Sequence, residues 1–520
     1  MKKIFKNIPF AHPYLFILFN LLFLYYHNID QSSFTAIVYP LVSTFIIVTI
    51  FIVLAKFFIK NSFKISIILT IIIFLFFSYG RTYDLILDQY IVGFEIGRHR
   101  YLLFLWALIF FTSTIIILRT KHNLLKTNQF LNIFATTLVL LSFFNIEIYK
   151  IQKLRASTDS NQLLSCLNLN EIELEKISLK RDIYYIVLDG YASSEVLKDV
   201  YNFDNNDFYK FLESREFTVV SNPYSNYPMT HLSLASSLNL EYINYFTDVL
   251  GLESSDSELP YNMIRNNRVF NFLKQNGYKI INFNSGWGPT DKNKFADLNI
   301  YKGRTVEFLM LLINTTMLRP LERPFSEDLR KSRMYTFQKL GTAFKIESPK
   351  FVMAHIMSPH PPYLFGENGE IIEGGELDLG GKAWQYKAKY VNQLIFTNSE
   401  IKKIIDNLIN KSKIEPIIVL QSDHGPASTF GQDVFWHGAQ DLEPDSIMLK
   451  ERMGILNAFY LPDDGHKLPY ATITPVNTFR LIFDYYFNTN CKLLEDKNYF
   501  SSYDRPYDFK DVSNILQNQK

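Results

Sequence analysis

Five long apolar runs crowd into the first 150 positions and constrain the chain more than any other feature. They lie near Pro13 to Tyr26, Phe34 to Phe58, Phe63 to Ser78, Tyr101 to Leu118 and Phe130 to Ile148. Most approach the ~20 residues that a helix needs to cross a bilayer. The first and third are shorter, and a single cleaved leader does not account for five runs. Orientation follows from the basic residues. Lys2, Lys3 and Lys6 precede the first run, Lys56, Lys60 and Lys64 separate the second from the third, and Arg119, Lys121 and Lys126 separate the fourth from the fifth. The loop around His27 to Ser33 has no Lys or Arg, whereas the next outward loop mixes Arg81, Arg98 and Arg100 with Asp84, Asp88 and Glu95. The best fit is five membrane helices with a cytoplasmic N-terminus. An odd count carries everything after about residue 150 to the outside.

Three segments are expected: a five-helix transmembrane domain over 1–150, a polar linker with some helix over 151–180, and an extracytoplasmic domain over 181–520. From Asp182 onward short apolar stretches alternate with polar, helix-like ones. The strand candidates are 183–188, 279–283, 351–356, 417–420 and 455–460, with helices such as Tyr261 to Gln275 and Tyr386 to Asn410 between them. Such alternation predicts helices covering a largely parallel sheet. The fold class is therefore a multi-pass α-helical membrane domain followed by an α/β domain with a mainly parallel sheet. A net charge of +2 implies no strongly charged partner, and nothing suggests a nucleic-acid surface. Cys166 and Cys491 could pair in an oxidising exterior, but spacing does not establish a bridge, and two unpaired thiols are the favoured reading.

Chemistry concentrates where strands end. The run I-I-V-L-Q-S over 417–422 empties into Asp423, His424 and Gly425, and Y-Y-I-V-L over 184–188 empties into Asp189 and Gly190. The carboxyl ends of strands are where open α/β sheets place ligands. Asp and His suit zinc or manganese, and Gly425 is expected to turn the chain tightly beside an ion. A third segment, S-N-Y-P-M-T-H-L-S-L-A-S over 225–236, puts Thr230 at the start of a small-residue helix. Alone, such a threonine is an ordinary N-cap; beside a metal it is a nucleophile whose anionic partner the helix dipole would favour. A fourth, H-I-M-S-P-H-P-P-Y over 355–363, carries His355 and His360 on what its prolines suggest is an extended, exposed loop. His437, in W-H-G over 436–438, follows His424 by a short interval.

As an ordered set these motifs, together with E-R-M-G-I-L-N-A-F-Y-L-P over 451–462, resemble the alkaline phosphatase superfamily. The nearest likeness is to its membrane-anchored, sulfatase-like branch, which includes lipoteichoic acid synthases and phosphoethanolamine transferases. It covers roughly residues 180 to 490. The resemblance implies one divalent metal, Zn or Mn ahead of Ca or Mg, held by Asp189, Thr230, Asp423 and His424. Thr230 takes the place of the nucleophile, and His360 and His437 take the place of histidines that line the phosphate pocket. His355, on the strand side of its loop, fits that role less well. Sulfatases proper carry Cys or Ser in C/S-x-P-x-R as a formylglycine precursor, and neither cysteine here has that context. Sulfate chemistry is therefore disfavoured.

The implied activity is transfer of a phospholipid head group, through a phospho-threonine, to an envelope glycan or lipid outside the cytoplasmic membrane. A metal-dependent phosphatase or phosphodiesterase using water as acceptor, or another sulfatase-family hydrolase, is the enzymatic alternative, and a non-catalytic envelope glycan-binding or assembly protein is the other. The metal reading sets a geometric condition: the ligand atoms of Asp189, Asp423 and His424 should lie within about 5 Å of one another, with the Thr230 hydroxyl pointing into the same cluster.

Overall fold

A computed structural model describes residues 8–29, 34–87, 89–91, 94–165, 179–302, 307–321, 323–372, 381–430 and 444–517. The chain divides into two compact units, Met1–Arg155 with Thr305–Phe325, and Ala156–Arg304 with Ser326–Lys520. The first contains helices α1 (Ala11–Tyr26), α2 (Thr35–Phe58), α3 (Ser62–Ile86) and α4 (His99–Arg119), and most of α5 (Leu125–Ser165). Each expected apolar run lies in one of these. Four are long and apolar enough to cross a membrane, whereas α1 has 16 residues. The third helix is longer than its apolar run, reaching Ile86 and taking in Arg81 and Asp84, which the sequence suggested were loop residues. The last helix continues into the stretch expected to be linker, and 166–178, including Cys166, lie outside the described residues.

Burial follows from an apolar solvent on the outside. Half of the most apolar window of α3 is buried, against 11% for α4, so α3 is the centre of the unit and α4 its periphery. Large side chains such as Phe57, Phe104 and Phe144 point outward. Thr305–Phe325 returns to this unit. Its helix Glu307–Thr315 passes so close to α3 at Gly80 that a Cβ there would sit 1.9 Å from the Asn314 carbonyl oxygen. Arg319 then donates to Asp84 and to the Gly80 carbonyl.

Among the described residues, the second unit is built on one sheet of seven strands: β1 (Ile183–Leu188), β2 (Thr218–Val219), β3 (Lys279–Phe283), β4 (Leu298–Ile300), β5 (Lys350–Ile356), β6 (Ile417–Gln421) and β7 (Asn457–Tyr460). Their order is β2-β7-β6-β1-β5-β3-β4. Five run parallel, from β6 to β4, and β7 and β2 add an antiparallel edge. The central strand β1 is buried along its whole length, as expected of a parallel strand covered on both faces. Helices α6 (Thr230–Asn239), α7 (Glu258–Arg265) and α8 (Arg268–Gln275) pack one face through Leu232, Leu238, Met263, Phe270 and Leu273. The single helix expected over 261–275 is two, because Asn267 caps the second by accepting from Phe270 N–H. Two further helices matter for the site, α9 (Arg323–Leu340) and α10 (Lys387–Lys411).

Candidate metal centre

The neighbours β6, β1 and β5 are parallel, so their carboxyl ends open on the same edge. Asp189 follows β1, Asp423 and His424 follow β6, and His360 lies on the loop after β5. The loops hold one another in register. Asp189 N–H donates to Ile356 O, His360 N–H donates to Asp189 O, and Gly190 N–H donates to Asp423 Oδ1. Ser422 Oγ accepts from Tyr191 N–H and donates to the His424 carbonyl.

Two glycines are required here for different reasons. Gly190 has φ +68 and lies against the Trp384 indole, which a Cβ would meet at 2.7 Å. Gly425 does not take a positive φ. Its need is for space rather than the tight turn expected, since a Cβ would lie 2.0 Å from the Glu451 carbonyl oxygen.

One ligand atom from each of Asp189, Asp423 and His424 falls within a common 4.8 Å, and all three residues are buried. His424 Nε2 is 3.3 Å from Asp423 Oδ2 and 3.7 Å from Asp189 Oδ1. The hydroxyl of Thr230 lies 3.0 Å from the same nitrogen. Thr230 is not an N-cap: the cap of α6 is Met229, and the threonine occupies the first turn with its hydroxyl in the cluster. Because His424 Nδ1 is 2.9 Å from the Gly425 carbonyl, which can only accept, the proton sits on Nδ1 and the Nε2 lone pair faces the carboxylates.

The donor set suits a cation on a second count. Asp189 Oδ1 and Asp423 Oδ2 are buried without a hydrogen-bond partner. A buried carboxylate oxygen with no donor is costly unless a positive group completes it. Burial alone would raise Asp189, but His360, His355 and His424 hold it well below the usual carboxylate range. Burial and the adjoining Asp189 charge push Asp423 upward. Burial first, then the Arg452 guanidinium, keeps His424 neutral.

His360 also has its proton on Nδ1, aimed at Pro361 O at 2.5 Å, and its Nε2 is 4.0 Å from Asp189 Oδ1. Its loop is largely buried rather than exposed as expected. The cause is Gln393 on α10, whose Nε2 donates to the carbonyls of Pro359, His360 and Pro362 while its Oε1 accepts from Leu364 N–H. The segment 431–443, which carries His437, lies outside the described residues.

Sequence reasoning underrated His355. Its Nε2 is 3.1 Å from Asp189 Oδ2 and its Nδ1 is 2.8 Å from Thr290 Oγ1, so it orients the first carboxylate. An imidazole inside an otherwise apolar strand was the available signal. Arg452 was missed altogether. It is buried and donates to Pro228 O at 2.6 Å and to Gly425 O at 2.8 Å, joining the loop before Thr230 to the loop after His424. Cys491 is a free thiol.

An apolar helical unit followed by an α/β domain, with an Asp/His cluster on the carboxyl edge of its parallel strands, defines the class of this protein. Residues 182–470 match the model of the family Sulfatase, more than half of the 520 residues. The chain belongs to the sulfatase family. No curated protein matches it. Among solved structures, it is similar to the zinc complex of the C-terminal periplasmic domain of EptC from Escherichia coli, at 13% identity, TM-score 0.45, covering 67% of this chain and 97% of that one. It is also similar to the periplasmic domain of the phosphoethanolamine transferase EptC from Campylobacter jejuni, at 16% identity, TM-score 0.37, over 60% and 92% of the two chains. The integral membrane lipooligosaccharide phosphoethanolamine transferase A from Neisseria meningitidis is similar over 93% of this chain and 96% of its own, at 12% identity and TM-score 0.39.

Proposed function

We propose that this protein is a metal-dependent phosphoryl-group transferase whose α/β domain works outside the cytoplasmic membrane. It moves a phospholipid head group to an envelope glycan or lipid through a phospho-threonine. The supporting observation is the Thr230 hydroxyl at a helix N-terminus, 3.0 Å from His424 Nε2 and beside two buried carboxylates with orphaned oxygens. Asp189, Asp423, His424 and Thr230 would hold the ion, Zn or Mn. A bound divalent cation lowers the pKa of a neighbouring hydroxyl and offsets charge on phosphoryl oxygens.

The chain's own residues do the rest. Thr230 Oγ attacks phosphorus, the Oγ–P bond forms as the bond to the donor's glyceride oxygen breaks, and that oxygen leaves with the proton given up by the Thr230 hydroxyl. An acceptor hydroxyl then attacks the same phosphorus, giving its proton to His360 or His437 as Thr230 Oγ departs. His360 suits proton transfer because its Nε2 faces the cluster while Nδ1 is tied to Pro361 O. Thr230 also argues against sulfate hydrolysis, since a threonine cannot become the formylglycine that sulfatases proper use. The four long apolar helices support the membrane placement, and the shorter apolar α1 makes the odd count by which the Lys and Arg bias would carry the α/β domain outside.

Mass spectrometry of protein incubated with phospholipid should find a head-group phosphate on Thr230. Thr230→Ala should lose the adduct and reduce turnover by at least ~10³-fold while keeping its fold. An adduct that persists in Thr230→Ala would defeat the reading.

A further inference from the structure

Among the described residues, four of the five buried Lys and Arg side chains are accounted for by the protein itself. Arg181 pairs with Asp463, Arg319 with Asp84 and Lys350 with Asp182. Arg452 spans two backbone carbonyls and reaches Tyr503. Arg333, on α9, is different. It is 7% exposed, and among the described residues its guanidinium makes one long hydrogen bond, to Pro362 O at 3.5 Å, and no ion pair. That carbonyl lies two residues beyond His360, so the guanidinium reaches the loop that walls the metal centre. Burial weakens its hold on the proton, Asp189 strengthens it, and Arg333 in turn disfavours a proton on His360.

A buried guanidinium without a carboxylate is unfavourable unless something supplies the missing charge. Asp189 does so only at a distance, and it also belongs to the ligand set. With a divalent ion bound, the charges of Asp189 and Asp423 are balanced and Arg333 is left uncompensated. The missing partner is then an anion that enters with the substrate. A planar fork of N–H donors matches the paired oxygens of a phosphoryl group. We infer that Arg333 is a substrate-binding residue that takes a non-bridging oxygen of the phosphoryl group, on the His360 side of the site. This deepens the phosphoryl-transfer reading and rests on it.

The test is calorimetric titration of the zinc-loaded, full-length protein in detergent, with inorganic phosphate and with glycerophosphoethanolamine as separate probes. Arg333→Gln should weaken both by roughly 10- to 100-fold, the worth of one charge-assisted hydrogen bond. Zinc affinity and the thermal midpoint should not move. Arg333→Lys, which keeps the charge and loses the fork, should fall between the two and serves if the Gln variant does not fold. Unchanged affinity for phosphate in either variant overturns the inference, as does a loss confined to the diester or a parallel loss of zinc. If the wild-type protein forms the Thr230 adduct and Arg333→Gln binds phosphate normally, only this inference fails. If the wild-type protein binds neither probe and forms no adduct, both fail.

Discussion

Two buried histidine clusters, one in each unit, show what separates a fastener from a ligand site. In the helical unit, His12 on α1 is fully buried. Its Nδ1 is 2.6 Å from Thr70 Oγ1 and its Nε2 is 2.9 Å from Asn128 Oδ1 and 2.6 Å from Ser66 Oγ, while its backbone N–H donates to Asn132 Oδ1. Both ring nitrogens are matched, and the partners come from α3 and α5. In the α/β unit, His424 is equally buried but stands among carboxylates that keep two oxygens without donors. Burial is the same in both places. Only the second leaves charge for a ligand to complete.

The largest effect expected from this contrast is on metal. Removing one ligand with Asp189→Ala or Asp423→Ala should weaken zinc binding by more than the roughly 10- to 100-fold typical of outer-shell partners, and abolish transfer. Equilibrium dialysis against a competing chelator measures it. Zinc bound with unchanged affinity in both variants would show that the orphaned oxygens do not mark a cation site. The thermal midpoint of the metal-free Asp423→Ala protein should fall little, because relief of a desolvated carboxylate offsets the loss of the acceptor for Gly190 N–H.

The helical cluster should respond in the opposite way. His12→Ala removes the imidazole that Asn128, Ser66 and Thr70 share in an apolar setting, so a loss of about 1–3 kcal/mol in the stability of the helical unit is expected. Zinc affinity should be untouched. Measured unfolding in mild detergent, followed by far-ultraviolet circular dichroism, separates the outcomes. A His12 variant that lost metal with its helices intact would break the distinction.

Legibility from sequence divides along the same line. The membrane runs and the five main strands were readable because burial on all sides leaves continuous apolar stretches, as at 183–188 and 417–420. Asp189, Asp423 and His424 were readable because they end such strands, and the structure brings them together. The residues that surround them were not. His355 lies inside a strand, Gln393 and Arg333 lie on helices, and Arg452 sits far along the chain from both loops it joins. Each acts through a contact made only in the folded chain, and no local period encodes that. The return of Thr305–Phe325 to the helical unit was invisible for a related reason: its apolar stretch, E-F-L-M-L-L-I-N-T, is too short to read as a span and needed Gly80 to receive it.

The smallest expected effect is a pH dependence that differs between the clusters. Burial, then Asp189, raises Asp423, so the metal-free site binds a proton more readily than an ordinary aspartate does. A metal ligand must be deprotonated, so zinc and the proton compete. Zinc affinity should therefore rise with pH across the window between the ordinary carboxylate range and neutrality, by at most tenfold per unit if one proton is displaced, or about 1.4 kcal/mol. The sign for folding of the metal-free protein is reversed. A carboxyl raised in the folded state contributes stability that is present below its unfolded value and lost as pH rises through its folded one. Adding zinc should thus turn a stability that declines toward neutrality into one that stays level across that window. Proton release on zinc binding, read from calorimetry in buffers of different ionisation heat, checks the count. A zinc affinity flat across that window would show that Asp423 carries no proton for the metal to displace.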